Sequence, residues 1–143
     1  MVGRKAASTG WAFEGNTSGG KNNDDQGTNK TECWDAKYDH FFRIWMRAGE
    51  TLDVTLTPKT FSFNSMLKLY QGTGCEAGGD PLIGCYNQGS DGKPDSIQGY
   101  AAVADGWYSI VVDGRMAFDA DQDWGPYSLI LKITCSRPDC CCP

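Results

Sequence analysis

An all-β fold, an antiparallel β-sandwich or jelly roll of about 7–9 strands, is what this 143-residue sequence predicts. Eighteen glycines and frequent Asn/Asp punctuation leave no stretch for a long helix. After position 38, short segments alternate apolar with polar residues, the period-two pattern of half-buried strands. Turn signals separate them: RAGE, TPKT, QGTG, SDGKP and ADG.

The segments follow in order. Residues 15–31, GNTSGGKNNDDQGTNKT, show no periodicity and read as a polar loop with sequons at Asn16 and Asn29. In YDHFFRIWMR (38–47), Phe42, Ile44 and Met46 share one face, while Phe41, Arg43 and Trp45 share the other. TLDVTLT (51–57) alternates cleanly, with Leu52, Val54 and Leu56 inward. MLKLY (66–70), LIGCY (82–86) and IQGYAAV (97–103) follow as shorter strands. GWYSIVVDG (106–114) sets Tyr108, Ile110 and Val112 against Trp107 and Val111. PYSLILKIT (126–134) sets Tyr127, Leu129, Leu131 and Ile133 against Ser128, Ile130 and Lys132. Without internal repeats, the length fits one domain over residues 11–135. Residues 1–10 are expected as a disordered extension, and 136–143 as a Cys-rich tail or linker.

Net charge is −5, from 18 acidic and 13 basic residues, and no Lys/Arg run occurs. Nucleic acid is therefore not an expected partner, since its affinity comes largely from basic residues on phosphates. No apolar run approaches the roughly 18–20 residues of a membrane helix, so no membrane insertion is expected. The opening MVGRKAASTG lacks the apolar core of a signal peptide, so a secreted form is expected to have lost its leader.

Seven cysteines and a single histidine, His40, without a recurring CxxC spacing, argue against a zinc site. Cys75 and Cys85 bracket the Gly-rich CEAGGDPLIGC and are expected to close it as a disulfide; Cys33 with Cys135 is a candidate second bridge. Such bridges belong to oxidising compartments, hence a secreted, extracellular or cell-surface location. The tail CSRPDCCCP, with Cys140–Cys142, is either a linker to a further Cys-rich segment or a means of covalent cross-linking between chains.

Three carboxylates alternate in FDADQDWGPYSL: Asp119, Asp121 and Asp123. They fit the first half of a calcium loop, because Ca²⁺ takes six to eight oxygen ligands at about 2.3–2.6 Å. They also fit a solvated acidic turn, where like charges repel little in water. An EF-hand is excluded, since the loop's twelfth position is Ile130 rather than Glu. Catalysis has little support: His40 falls on the strand face of Phe42 and Ile44, as a packing residue would. The acids lie in Gly/Asn-rich loops with no sign of a desolvated general acid. The chain is expected not to be an enzyme. Five tryptophans and six tyrosines favour binding. Phe41, Trp45, Trp107 and Trp124 are the candidate ligand-binding aromatics, because flat rings give large contact area at low entropic cost. Alternatively, they fill the core or plug the sandwich ends.

The ordered set YDHFFRIWMRAGETLDVTLTP, FNSMLKLYQGTGC, DGWYSIVVDG and GPYSLILKI resembles the bacterial pre-peptidase C-terminal domain family, related to collagenase collagen-binding domains. The match covers roughly residues 11–134. The resemblance implies an extracellular, non-catalytic accessory domain that in several members binds Ca²⁺. Asn23, Asp24 and Asp39 match that family's ligand positions, and Asp35 stands where a further strand-entry ligand would. The expected role is a calcium-stabilised module attaching a secreted or surface protein to an extracellular polymer, fibrous protein or polysaccharide. The alternative is a structural subunit of an exported surface assembly or filament, self-assembling through strand edges and tail cysteines.

Overall fold

The computed structural model describes residues 7–19, 39–72, 80–114 and 124–135. Eight strands form there: β1 (Ala7–Asn16), β2 (His40–Met46), β3 (Thr51–Pro58), β4 (Ser65–Gln71), β5 (Leu82–Tyr86), β6 (Asp95–Ala101), β7 (Gly106–Gly114) and β8 (Pro126–Cys135). A short 3₁₀ turn, Thr17–Gly19, follows β1. Two four-stranded antiparallel sheets, ordered β1-β8-β3-β6 and β2-β7-β4-β5, pack as the expected β-sandwich. β1 takes in residues 7–10, ahead of the boundary placed at Trp11 from the sequence, and pairs with β8 along its whole length without a bulge.

Alternation explains why the sheets face each other as they do. Leu52, Val54 and Leu56 of β3 and Leu129 and Leu131 of β8 point inward to meet Leu67, Leu69, Ile110 and Val112 of the opposite sheet. Each fully buried aliphatic side chain contributes about 1.5–3 kcal/mol over its exposed state. The intervening Thr55, Thr57 and Lys132 remain exposed, so the first sheet has an ordinary wet outer surface. Ring contacts register the layers: Phe13 of β1 meets Phe42 of β2 at 5.0 Å between centroids. His40 of β2 reaches Tyr127 of β8, with Nδ1 2.6 Å from the phenolic oxygen.

The second sheet departs from this pattern. β4 and β7 are buried on both faces, the outward Met66, Lys68, Val111 and Asp113 included. Lys68 has no exposed side-chain surface, and its Nζ lies 2.9 Å from Asp113 Oδ2. The register sets Lys68 opposite Val111 and Met66 opposite Asp113, so the pair is diagonal across neighbouring strands. An ion pair removed from water needs both partners, since either charge alone would be costly to bury.

The far end of the sandwich is held by a second carboxylate. Asp95, buried at the start of β6, accepts from Gln88 N–H at 2.8 Å and Gly89 N–H at 2.9 Å on Oδ1. The Ser65 hydroxyl donates to its Oδ2 at 2.6 Å. These bonds tie the β5–β6 loop to the start of β4. Gly92 closes the same loop at φ +68°, where an added Cβ would fall 2.9 Å from Phe61 Cα.

Candidate binding surface

β2 and β7 pair with Trp45 directly opposite Trp107. Because Ile44, Met46 and Tyr108 face the core, strand alternation turns both tryptophans to the outer side. Their rings meet edge to face, with centroids 5.5 Å apart and planes at 84°. This is a favoured aromatic geometry, worth about 0.5–1.5 kcal/mol beyond the area it buries. Yet Trp45 remains 53% and Trp107 46% exposed. About half of two large rings thus stays available to a partner.

The backbone beneath the pair is closely tied. The Trp107 carbonyl accepts Gly72 N–H at 2.8 Å, and the Ser109 hydroxyl donates to the Gly72 carbonyl at 2.8 Å. In the β2–β3 turn, Ala48 N–H donates to Asp105 Oδ1 and Arg47 N–H to Glu50 Oε2, both at 2.8 Å. Gly49 N–H reaches the Ala102 carbonyl at 2.8 Å, and Ala102 N–H returns to the Glu50 carbonyl at 2.9 Å. The Tyr108 hydroxyl fixes the β6–β7 turn by donating to the Ala104 carbonyl at 2.9 Å. Two adjoining turns therefore support the exposed rings as one unit.

The four sequence-predicted aromatics do not form a single site. Phe41 lies on the same strand face as Trp45 but four residues away, about 13 Å along a strand, and is half-buried opposite Val111. Trp124 precedes β8 at the other end of the sandwich and is half-buried. Its neighbour Gly125 is locked there, donating its N–H to Thr17 Oγ1 at 3.1 Å. Only Trp45 and Trp107 come together. Two aromatics absent from the predicted set are also partly exposed, on β1 at the edge of the other sheet: Trp11 at 42% and Phe13 at 38%, the latter against core-side Phe42. Their signal was the alternation Trp11–Ala12–Phe13, obscured by Gly10 and Gly15 on either side. Phe61 is exposed singly at the far end, which is ordinary for one apolar side chain.

Of the expected calcium ligands, Asn23, Asp24, Asp35, Asp119, Asp121 and Asp123 lie outside the described residues. Asp39 lies within them and is 4% exposed. Among the described residues, no group of three or more His, Cys, Asp or Glu side chains could hold a metal ion. Cys85 and Cys135 are disulfide-bonded; Cys75 and Cys33, their expected partners, lie outside the described residues. No helix there is long and apolar enough to cross a membrane.

The described residues assemble no nucleophile with its base. Ser65 donates to Asp95 in a loop clamp. His40 lies against the Tyr127 hydroxyl, on the core face as its strand position predicts. Burial pushes the Tyr127 phenol from its ordinary value of 10 up to about 12. A phenol that holds its proton more tightly when folded supplies stability below pH 10, lost as pH rises through about 12. Alkaline urea titrations are therefore expected to show wild-type stability falling over this window. Tyr127→Phe should lessen that fall, the burial-raised Tyr86 and Tyr100 keeping part of it, while losing about 1 kcal/mol at neutral pH with the His40 hydrogen bond. An equal alkaline decline in the variant would place its origin elsewhere.

No family model matches the chain. No curated protein matches it either. Among solved structures, it resembles Aeromonas hydrophila PliG, a periplasmic lysozyme inhibitor of g-type lysozyme, at 20% identity and a TM-score of 0.47, over 90% of this chain and 85% of that one. These findings correct two expectations. Membership in the pre-peptidase C-terminal family is not upheld, because no family model matches the chain. The segments that carried the resemblance are β2, β3, β4, β7 and β8 with their turns. Alternation after a turn is what an antiparallel sandwich requires, whatever its family. The functional reading falls with it, both as a calcium-stabilised module tethering a parent protein to a polymer and as a filament subunit.

Proposed function

We propose that this chain is a non-catalytic domain of an exported protein that binds a folded protein partner through the Trp45–Trp107 surface. The exposed tryptophan pair carries the reading. Two half-exposed indoles on a tied strand pair offer the large, rigid contact area typical of interface hot spots, in which tryptophan is enriched. Export is supported by the disulfide-bonded Cys85 and Cys135, since such bonds persist in oxidising compartments. The net charge of −5 favours a basic partner, because complementary charge speeds encounter and suppresses wrong partners.

Calorimetric titration against a g-type lysozyme and a panel of basic globular proteins tests this reading. One is expected to bind, and Trp45→Ala and Trp107→Ala each to weaken it by about 30-fold, a hot-spot loss of about 2 kcal/mol. Binding to none of them, or an affinity unchanged in both variants, would overturn the proposal.

A further inference from the structure

We infer that the Trp45–Trp107 pair seats a cationic side chain, an arginine or lysine presented by the partner; this rests on the protein-binding reading above. An edge-to-face pair at 84° uses one ring's edge against the other ring's face, and about half of each ring remains exposed. Indole faces are the strongest aromatic surfaces for a cation, through the negative potential of the ring.

Two carboxylates lie in the turns next to the pair, one after β2 and one before β7. Asp105 stands two positions before Trp107, its Oδ1 held by Ala48 N–H at 2.8 Å. Glu50 lies in the adjoining turn, its Oε2 held by Arg47 N–H at 2.8 Å. The second oxygen of each makes no hydrogen bond or ion pair among the described residues. Both carboxylates are thus fixed by one oxygen and able to receive a cation on the other. Arg43 and Arg47, the cations on this side of β2, are each engaged within the chain. An incoming guanidinium finds ring faces and carboxylates already held by backbone hydrogen bonds, so little is lost to ordering them. A purely apolar ligand would use the rings alone and leave Asp105 without a part in recognition.

Indole N–H signals in ¹⁵N NMR, assigned with Trp45→Phe and Trp107→Phe variants, provide the test. N-acetyl-arginine amide is titrated in parallel with its uncharged citrulline analogue. The arginine compound is expected to move the Trp45 and Trp107 signals, with the citrulline compound at least about fivefold weaker. Asp105→Asn keeps the acceptor for Ala48 N–H while removing the charge, and is expected to weaken the arginine response by a similar factor. Equal responses to the two compounds, or no movement of the pair's signals, would overturn the seat. The two proposals fail separately. A folded protein lost on Trp45→Ala while arginine and citrulline respond alike leaves the interface and removes the cation. An arginine response without binding of any folded protein leaves the cation and removes the interface.

Discussion

Replacing Asp113 with alanine is expected to lower stability by about 3–5 kcal/mol, because it takes from the buried Lys68 ammonium the carboxylate 2.9 Å away. Lys68 and Asp113 are 0% and 1% exposed and lie 2.9 Å apart, so water cannot take over as partner. For a domain of this size the loss corresponds to a melting temperature lower by roughly 10–20 °C. Urea unfolding at constant m-value measures it directly. The informative comparison is the double variant Lys68→Met/Asp113→Ala, which removes both charges. Its loss is expected to be clearly smaller than the sum of the single losses, since no lone ion is left behind. Additive losses would show that the two side chains act independently and that packing, rather than charge, sets their cost.

The second large effect is expected at Asp95. Alanine there leaves Gln88 N–H, Gly89 N–H and the Ser65 hydroxyl without their acceptor, and costs about 2–4 kcal/mol. Asparagine keeps a carbonyl oxygen for the two backbone donors and offers its amide to the Ser65 oxygen, so its loss is expected to stay within about 1 kcal/mol. Burial raises the Asp95 carboxyl above its ordinary value, with the hydrogen bonds from Gly89, Ser65 and Gln88 working the other way. A raised carboxyl binds its proton more tightly in the folded state. Its contribution is complete below the ordinary carboxylate range and is lost as pH rises through the folded value. Relative to Asp95→Asn, wild type is therefore expected to gain stability on acidification. Chemical denaturation of both proteins between pH 3 and pH 7, about the window of carboxylate titration, checks the sign. A difference independent of pH would mean that Asp95 titrates normally.

Much of this architecture could be read from the chain because one face of the first sheet is wet. TLDVTLT and PYSLILKIT alternate faithfully, and β3 and β8 bury the residues the alternation selects. β1 escaped notice because Gly10 and Gly15 interrupt its apolar positions and its edge location buries little. In β4 the inward Leu67 and Leu69 were legible, but the complete burial of Lys68 was not. Its compensation comes from Asp113 on a strand distant in sequence, a pairing that only the register creates. The binding surface shows the same divide. Alternation placed Trp45 and Trp107 each on an outer face, and Trp45–Trp107 contact needed the β2–β7 register. Phe41 and Trp124 carry the same chemistry but were separated by strand length and by the ends of the sandwich.

The burial of β7 on both sides has a thermodynamic corollary for association. Trp107 is mounted on a ribbon clamped between its neighbours, with Tyr108, Ile110 and Val112 sealed beneath and Ser109, Val111 and Asp113 sealed above. A segment so confined has little main-chain freedom left to surrender when a ligand arrives. Its amide protons are expected to exchange among the slowest in the molecule, and docking to leave that rate almost unaltered.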